Sequence, residues 1–331
     1  MFDPHDLALQ VMQSFANFTV GGSLSVNAHG RHVGQGPIVT SVASIRPALA
    51  DGAVVHASPS HNSELFYGAI GGYGALGVIV EATLRVTDNG RLERRTQVMP
   101  FTAYRQFFAT HIAANPDAVM HNATLYPDDF TLVRTVTFSP TNRAVTQPNR
   151  LGPSERDDRL EHRILALTAG SGCGKGLRQR ILEPLLYTQD AVEWRNYQSG
   201  LDVRSLTLQD GGGSVYPLQE YFVPVAAMER FADWLRAILR RHRVNAINVS
   251  IRHARQLLSA VPDSRERASV PCGVSASGAV FRAQAPTRSI EQVSQQAIGC
   301  LQGAMMRQGC SSKPIDTLIA LNLPILHCHH H

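Results

Sequence analysis

The chain has 331 residues, 44% of them hydrophobic and 17% charged, a globular composition long enough for about two domains. Thirty-one Lys and Arg against 26 Asp and Glu leave a formal charge of +5. That is too mild to demand nucleic acid, and no basic patch interleaved with aromatics accompanies it. No apolar run reaches the roughly 18 residues that span a bilayer, the first residues lack a basic-then-apolar leader, and five cysteines without tight spacing point to free thiols in a reducing, cytoplasmic compartment.

Residues 7–12 (LALQVM) form a short apolar lead-in. Residues 18–36 read F-T-V-G-G-S-L-S-V-N-A-H-G-R-H-V-G-Q-G. Small residues fill the first half, and Asn27, His29 and Arg31 follow. Glycine lets a ligand approach the main chain closely, and a run of exposed N–H groups suits phosphate oxygens. A plain turn has the same pattern. Residues 39–60 predict a hairpin around Asp51-Gly52, the strongest short turn signal between alternating apolar runs. Residues 62–87 predict a short capped helix, the glycine turn G-G-Y-G (71–74) and a β-rich strand, L-G-V-I-V-E-A-T-L-R-V.

Residues 91–100 predict an edge strand that leaves this first unit. A helix is expected over 102–114, with Thr102 as its cap and Tyr104, Phe107, Phe108 and Ile112 on one face. Asn115-Pro116-Asp117 ends it. Residues 119–126 and 130–138 alternate around Pro127-Asp128-Asp129 and predict a second hairpin. Residues 139–158 read as a long exposed loop, followed by helical patterns over 159–168 and 175–187. Between those lies A-G-S-G-C-G-K-G (169–176), which is no phosphate loop. Ala169 stands where the first glycine belongs, and Gly176 follows the lysine instead of Ser or Thr. A strand is predicted over 215–224, a helix over 226–242 and a strand over 245–253. The basic cluster Arg236, Arg240, Arg241, His242 and Arg243 falls at that helix's C-terminus, where it complements the helix dipole.

The order T-V-G-G, N-x-H-G, strand, D-G, strand, E-L-F, G-G-x-G, G-V-I-V-E-A-T-L closely resembles the FAD-binding (PCMH-type) domain of the vanillyl-alcohol oxidase family, over about residues 10–90. Only the second half of that domain is matched. The family's pyrophosphate-binding glycine loop, and the histidine some members link to the flavin, would lie upstream of Met1. More loosely, residues 215–254 are similar to the substrate cap of the sugar oxidases of this family, the decaprenylphosphoryl-ribose and aldonolactone oxidases.

The resemblance implies an α+β fold in three parts: a truncated FAD-binding half (1–92), an antiparallel substrate cap (93–263) and an atypical tail (264–331). It implies FAD as cofactor, with Thr19, Val20, Gly21, Gly22, Ser23, Val26, Asn27, Ala28, His29 and Gly30, and Val78 and Ile79 of the strand, along it. The implied reaction is oxidation of the CH–OH group of a sugar, sugar-lactone or polyol, with dioxygen or another electron acceptor. His29 and His253 are the candidate catalytic side chains, and Gln219 and His253 the candidate substrate contacts. His29 serves equally well as a satisfied histidine that fixes its loop. Two other readings stay open: an inactive fragment of such an oxidase, and a binding or assembly module.

Residues 268–331 hold only two acidic residues, Glu291 and Asp316, a single aromatic, Phe281, and four of the five cysteines. Such a tail predicts an altered or frame-shifted terminus without clear strands. Its end, H-C-H-H-H, lacks a second spaced Cys/His pair, so no metal is assigned.

Overall fold

A computed structural model describes residues 3–13, 18–126, 129–152, 176–177, 181, 184, 187, 190–200, 218–241, 246, 248–254 and 278–284. Helix and strand are mixed, as an α+β chain requires. The expected helices over 159–168 and 175–187, the glycine segment before Gly176 and the H-C-H-H-H end lie outside these residues, apart from isolated positions.

The N-terminal elements form a small unit around their own core. Strand β1 (Leu7–Leu9) pairs antiparallel with β4 (Val86–Asp88). Helix α1 (Val20–Ser25) starts at Thr19, whose hydroxyl accepts from Gly22 N–H at 3.0 Å, the capping role that β-hydroxyl residues favour. Strand β2 (Val42–Ala48) pairs antiparallel with β3 (Val78–Leu84). On its other edge β2 meets residues 54 and 57 through isolated bridges. The expected hairpin turn is present: Gly52 adopts φ 83 and Asp51 accepts from Ala53 N–H at 2.9 Å. Its second arm never becomes a strand. Helix α2 (Ser63–Ala69) drives Phe66 into a core with Leu24, Ile38, Val42 and Ile45.

The rest of the described chain builds one seven-stranded antiparallel sheet, in the order β8-β5-β7-β6-β10-β11-β9. Its members are β5 (Arg91–Pro100), β6 (Met120–Leu125), β7 (Leu132–Pro140), β8 (Val192–Trp194), β9 (Leu218–Pro224), β10 (Asn248–Ala254) and β11 (Gly278–Gln284). Helix α3 (Phe101–Phe107) and helix α5 (Met228–Arg241) share a core with the sheet, and α4 (Arg195–Gly200) follows β8. Phe101, Tyr104, Phe108, Phe231, Leu235, Val249 and Ile251 form that core. The hydrophobic spacing of α5 buries Met228, Phe231, Leu235, Ile238 and Leu239, the stripe a 3.6-residue period produces.

Three expectations are corrected. Strand β5 is not an edge strand throughout, because β8 covers Arg91, Leu92 and Glu93. Thr102 is not a cap: Pro100 precedes α3 without a capping hydrogen bond. The helix then widens into a π-helical turn at Phe108–Ala113, where the Thr110 hydroxyl donates to the Gln106 carbonyl at 2.9 Å. Finally, the tail does supply a strand, since β11 lies between β10 and β9 and pairs with both over seven residues.

Candidate functional site

The sequence-predicted residues fall into two groups. The first is a surface on the N-terminal unit. The glycine run is a helical turn, so several of its amides are used internally. Ser23 N–H donates to Thr19 O, Val26 N–H to Gly22 O and Ala28 N–H to Ser23 O, at 2.9, 3.2 and 2.9 Å. Fewer donors are left for a ligand than an open loop would offer.

Asn27 adopts φ 48, and its side-chain oxygen accepts from Val39 N–H at 3.2 Å. Asn tolerates this left-handed conformation better than most residues. The Ala28 carbonyl accepts from Ile38 N–H at 2.7 Å. Both contacts hold the loop to the core.

The glycine turn after α2 joins α1 to β3. Gly71 N–H donates to Leu24 O at 2.9 Å and Tyr73 N–H to Ser25 O at 3.1 Å. Gly77, at φ 135, would drive a Cβ to 2.3 Å from the Ala48 carbonyl oxygen, so only glycine fits. The turn thus ties the C-terminal end of α1 to the chain that enters β3, where Val78 stands 68% exposed and Ile79 turns half-buried toward the core. Val20, Tyr73 and Val80 are also more than half exposed. Ser23 is buried, its hydroxyl donating to Gln13 at 2.9 Å. Val26 is exposed at the end of α1.

The second group lies where the small unit meets the sheet. Strand β10 pairs with β6 only from Leu125 to Ala123. At His121 the neighbour of β6 is instead Arg31, whose carbonyl accepts from His121 N–H at 2.8 Å, and His32 bridges Met120. The segment that follows half-buried His29 and Gly30 thus abuts the same edge of β6 as the strand carrying His253. A Cβ on Gly30 would sit 2.1 Å from the Met12 carbonyl oxygen and 3.1 Å from His32 Nδ1, so close backbone packing explains this glycine.

His253 is half-buried and stacks on Phe108 with ring centroids 4.7 Å apart. Phe108 also packs 5.5 Å from buried His121. His121 lies between the Tyr104 hydroxyl, 3.2 Å from Nε2, and the Thr137 hydroxyl, 2.9 Å from Nδ1. Burial, aided by the neighbouring His253, pushes the His121 pKa down to about 3. Burial lowers that of His253 as well and raises that of the Tyr104 phenol. Arg31 donates to the Gln198 carbonyl at 2.9 Å and to Asn122 at 3.4 Å. Its pKa is pushed down to about 10 by burial, against the opposing pull of Glu193.

Gln219 and His253 stand apart on the sheet. In the ladder Gln219 aligns with Ala283, and Ala283 with Val249, whereas His253 aligns with Ala279. Two strand spacings and four residues separate them, about 16 Å. Tyr104, His121 and Arg31 were not picked out as site residues from the sequence. Each acquires its setting from a segment far along the chain, and no local spacing signals that. Among the described residues no group of three or more His, Cys, Asp or Glu could hold a metal ion, and no helix is long and apolar enough to cross a membrane.

Over 86 residues, 25% of its length, the chain is 35% identical to decaprenylphosphoryl-beta-D-ribose oxidase of Mycolicibacterium smegmatis, covering 19% of that protein. Over that stretch the chain is similar to FAD-linked oxidases and dehydrogenases. It is also 30% identical over 105 residues to cytokinin dehydrogenase 9 of Oryza sativa subsp. japonica, 31% of this chain and 20% of the relative. With L-gulonolactone oxidase of Mus musculus it shares 35% identity over 83 residues, 25% of this chain and 19% of the relative. The chain therefore spans about a fifth of the length of each of these curated relatives. No family model matches.

Proposed function

We propose that this chain takes part in the FAD-dependent oxidation of a CH–OH group in a small sugar, sugar-lactone or polyol, with the surface of α1, the glycine turn and β3 lying along the cofactor. The relatives' names, an oxidase of a ribose derivative and oxidases of gulonolactone and arabinonolactone, support the substrate class. Bound FAD would supply the hydride acceptor.

Gly21 carries the reading. It is exposed within α1, its φ is not positive, and a Cβ placed there would meet nothing within 4 Å. Glycine inside a helix costs about 1 kcal/mol relative to alanine, and no contact among the described residues requires it. A ligand lying against the main chain does. Exposed Val20, Val78 and Val80 would face the apolar ring system. Thr19 and Gly22 shape the start of α1 behind them, while Ser23, Asn27 and Ala28 hold the loop to the core. His29 and His253 would present polar groups to the substrate from the β6 edge.

The test is titration of the purified protein into FAD, read by quenching of flavin fluorescence. The full chain should quench saturably. Gly21→Leu, a better helix former, should leave the melting temperature equal or higher and weaken binding about tenfold, the equivalent of 1.4 kcal/mol. A second reading, a remnant that no longer binds flavin, is favoured by the internal use of the α1 amides. Absence of quenching by the folded wild-type chain would establish it in place of the first.

A further inference from the structure

A concavity whose lining includes no residue of α1, the glycine turn or β3 has no part in the proposed function. It is a cleft of about 650 Å³ at the turn between β4 and β5, whose lining includes Asp6, Asp88, Asn89, Arg91, Asn142 and Trp194. This volume lies within the range of small-molecule sites.

The walls come from segments far apart in sequence, and hydrogen bonds lock them together. Asn89 is buried: its N–H donates to Asp6 O at 2.8 Å, its side-chain amide to Asp3 at 2.9 Å, and its side-chain oxygen accepts from Asn196 N–H at 2.8 Å. Arg195 N–H donates to Gly90 O at 3.0 Å and Thr141 N–H to Arg91 O at 3.1 Å. The guanidinium of Arg150 pairs with Asp3 at 3.1 Å and Asp6 at 2.5 Å while lying 4.5 Å over the Trp194 ring. A cleft fixed this way needs little ordering when a ligand arrives.

Its chemistry selects against anions. The lining holds two carboxylates, Asp6 and Asp88, and one guanidinium, Arg91, while the Arg150 guanidinium is already paired with Asp3 and Asp6, so an anion finds no net attraction. Two carboxylates are too few oxygen ligands for a calcium-type cation. What remains is a mixed set of hydrogen-bonding groups beside an indole. The Asp88 carboxylate and the Asn142 carboxamide make no hydrogen bonds among the described residues. An acceptor-only carboxylate, a carboxamide that both donates and accepts, a hydroxyl and an aromatic ring together match a molecule with several hydroxyls on a partly apolar frame. We infer that this cleft binds a neutral polyhydroxylated ligand, a sugar or cyclic polyol, through Asp88, Asn142 and Trp194. The inference goes beyond the oxidation reading and does not depend on flavin binding.

The chain has two tryptophans, Trp194 and Trp234, so Trp234→Phe leaves Trp194 as the sole indole reporter. The full chain carrying that change would be titrated with D-glucose, D-ribose and myo-inositol, with betaine at equal osmolality as blank. At least one polyol should change Trp194 emission saturably, with a Kd on the order of 1 mM. Adding Asp88→Ala or Asn142→Ala, both exposed positions, should weaken it about tenfold without lowering the melting temperature. Methyl glycosides separate the two sources of the ligand: equal binding indicates the end of a glycan, lost binding a free sugar. Emission that follows the blank for all three polyols would overturn the inference. So would variants that titrate like their parent, or tighter binding of inorganic phosphate or spermidine than of any polyol.

Discussion

Acid should unfold this protein early, because two histidines are buried neutral. Burial pushes His32 and His121 down to about 3, from 6.5. Between those values the unfolded chain binds a proton at each site and the folded chain does not, so stability falls as pH falls. Full stability is present above pH 6.5, and the loss runs down to about pH 3. At pH 5 each histidine has cost about 2 kcal/mol, both together about 4 kcal/mol, relative to pH 8. That is a large part of the 5–15 kcal/mol typical of a domain. Burial lowers His253 too, which adds in the same direction. Glu193, whose pKa burial raises, acts oppositely by holding its proton in the fold, and it offsets part of the loss.

Urea unfolding followed by far-UV circular dichroism at pH 8, 7, 6 and 5 measures this slope. The two sites separate by substitution. Among the described residues neither ring nitrogen of His32 has a hydrogen-bond partner. An unsatisfied buried polar group costs about 1–3 kcal/mol, so His32→Leu should stabilise the protein by about 1 kcal/mol at pH 8, and by more at pH 5. His121 has two partners, so His121→Gln should flatten the slope without raising stability at pH 8. A midpoint that stays constant from pH 8 to pH 5 would refute the buried-neutral assignment. A His32→Leu variant weaker than wild type at every pH would refute the account of its unpaired nitrogens.

Asn27→Ala should cost about 2 kcal/mol, half from the lost bond to Val39 N–H and half from alanine in a left-handed conformation. Asn27→Gly keeps the conformation and should cost about 1 kcal/mol, so equal losses in urea melts would sink this partition. Gly77→Ala pushes a Cβ against the Ala48 carbonyl at positive φ and should cost about 3 kcal/mol; a melting temperature unchanged from wild type would contradict it. Tyr104→Phe removes the hydroxyl beside His121 Nε2 and should cost about 1–2 kcal/mol, read as a shift in urea midpoint at pH 8.

Local pattern carried much of this protein. The apolar spacing of α5 is a surface helix by itself, since five buried residues repeat at the helical period. Alternation around Pro127-Asp128-Asp129 announced the β6–β7 hairpin, and Asp51-Gly52 announced a turn that forms with glycine at positive φ. The glycines at 71–74 announced a turn after the short helix, and Gly71 and Gly74 take positive φ there.

The tertiary structure decided where those elements stand. Strand β8 has three residues, too few for any periodicity, and exists because the start of β5 offers an open edge. Strand β11, G-A-V-F-R-A-Q, has little β-branched character; it is a strand because β9 and β10 each present a free ladder to it. That insertion also sets a strand between those of Gln219 and His253, the two candidate substrate contacts. The setting of His121 is likewise non-local, with Tyr104 and Thr137 each about 16 positions away and Arg31 from another unit closing its backbone. A sequence window registers period and turn chemistry, which act over a few residues. Strand order, burial of a histidine and the balance of charge in a cleft arise from segments that meet only when the chain has folded.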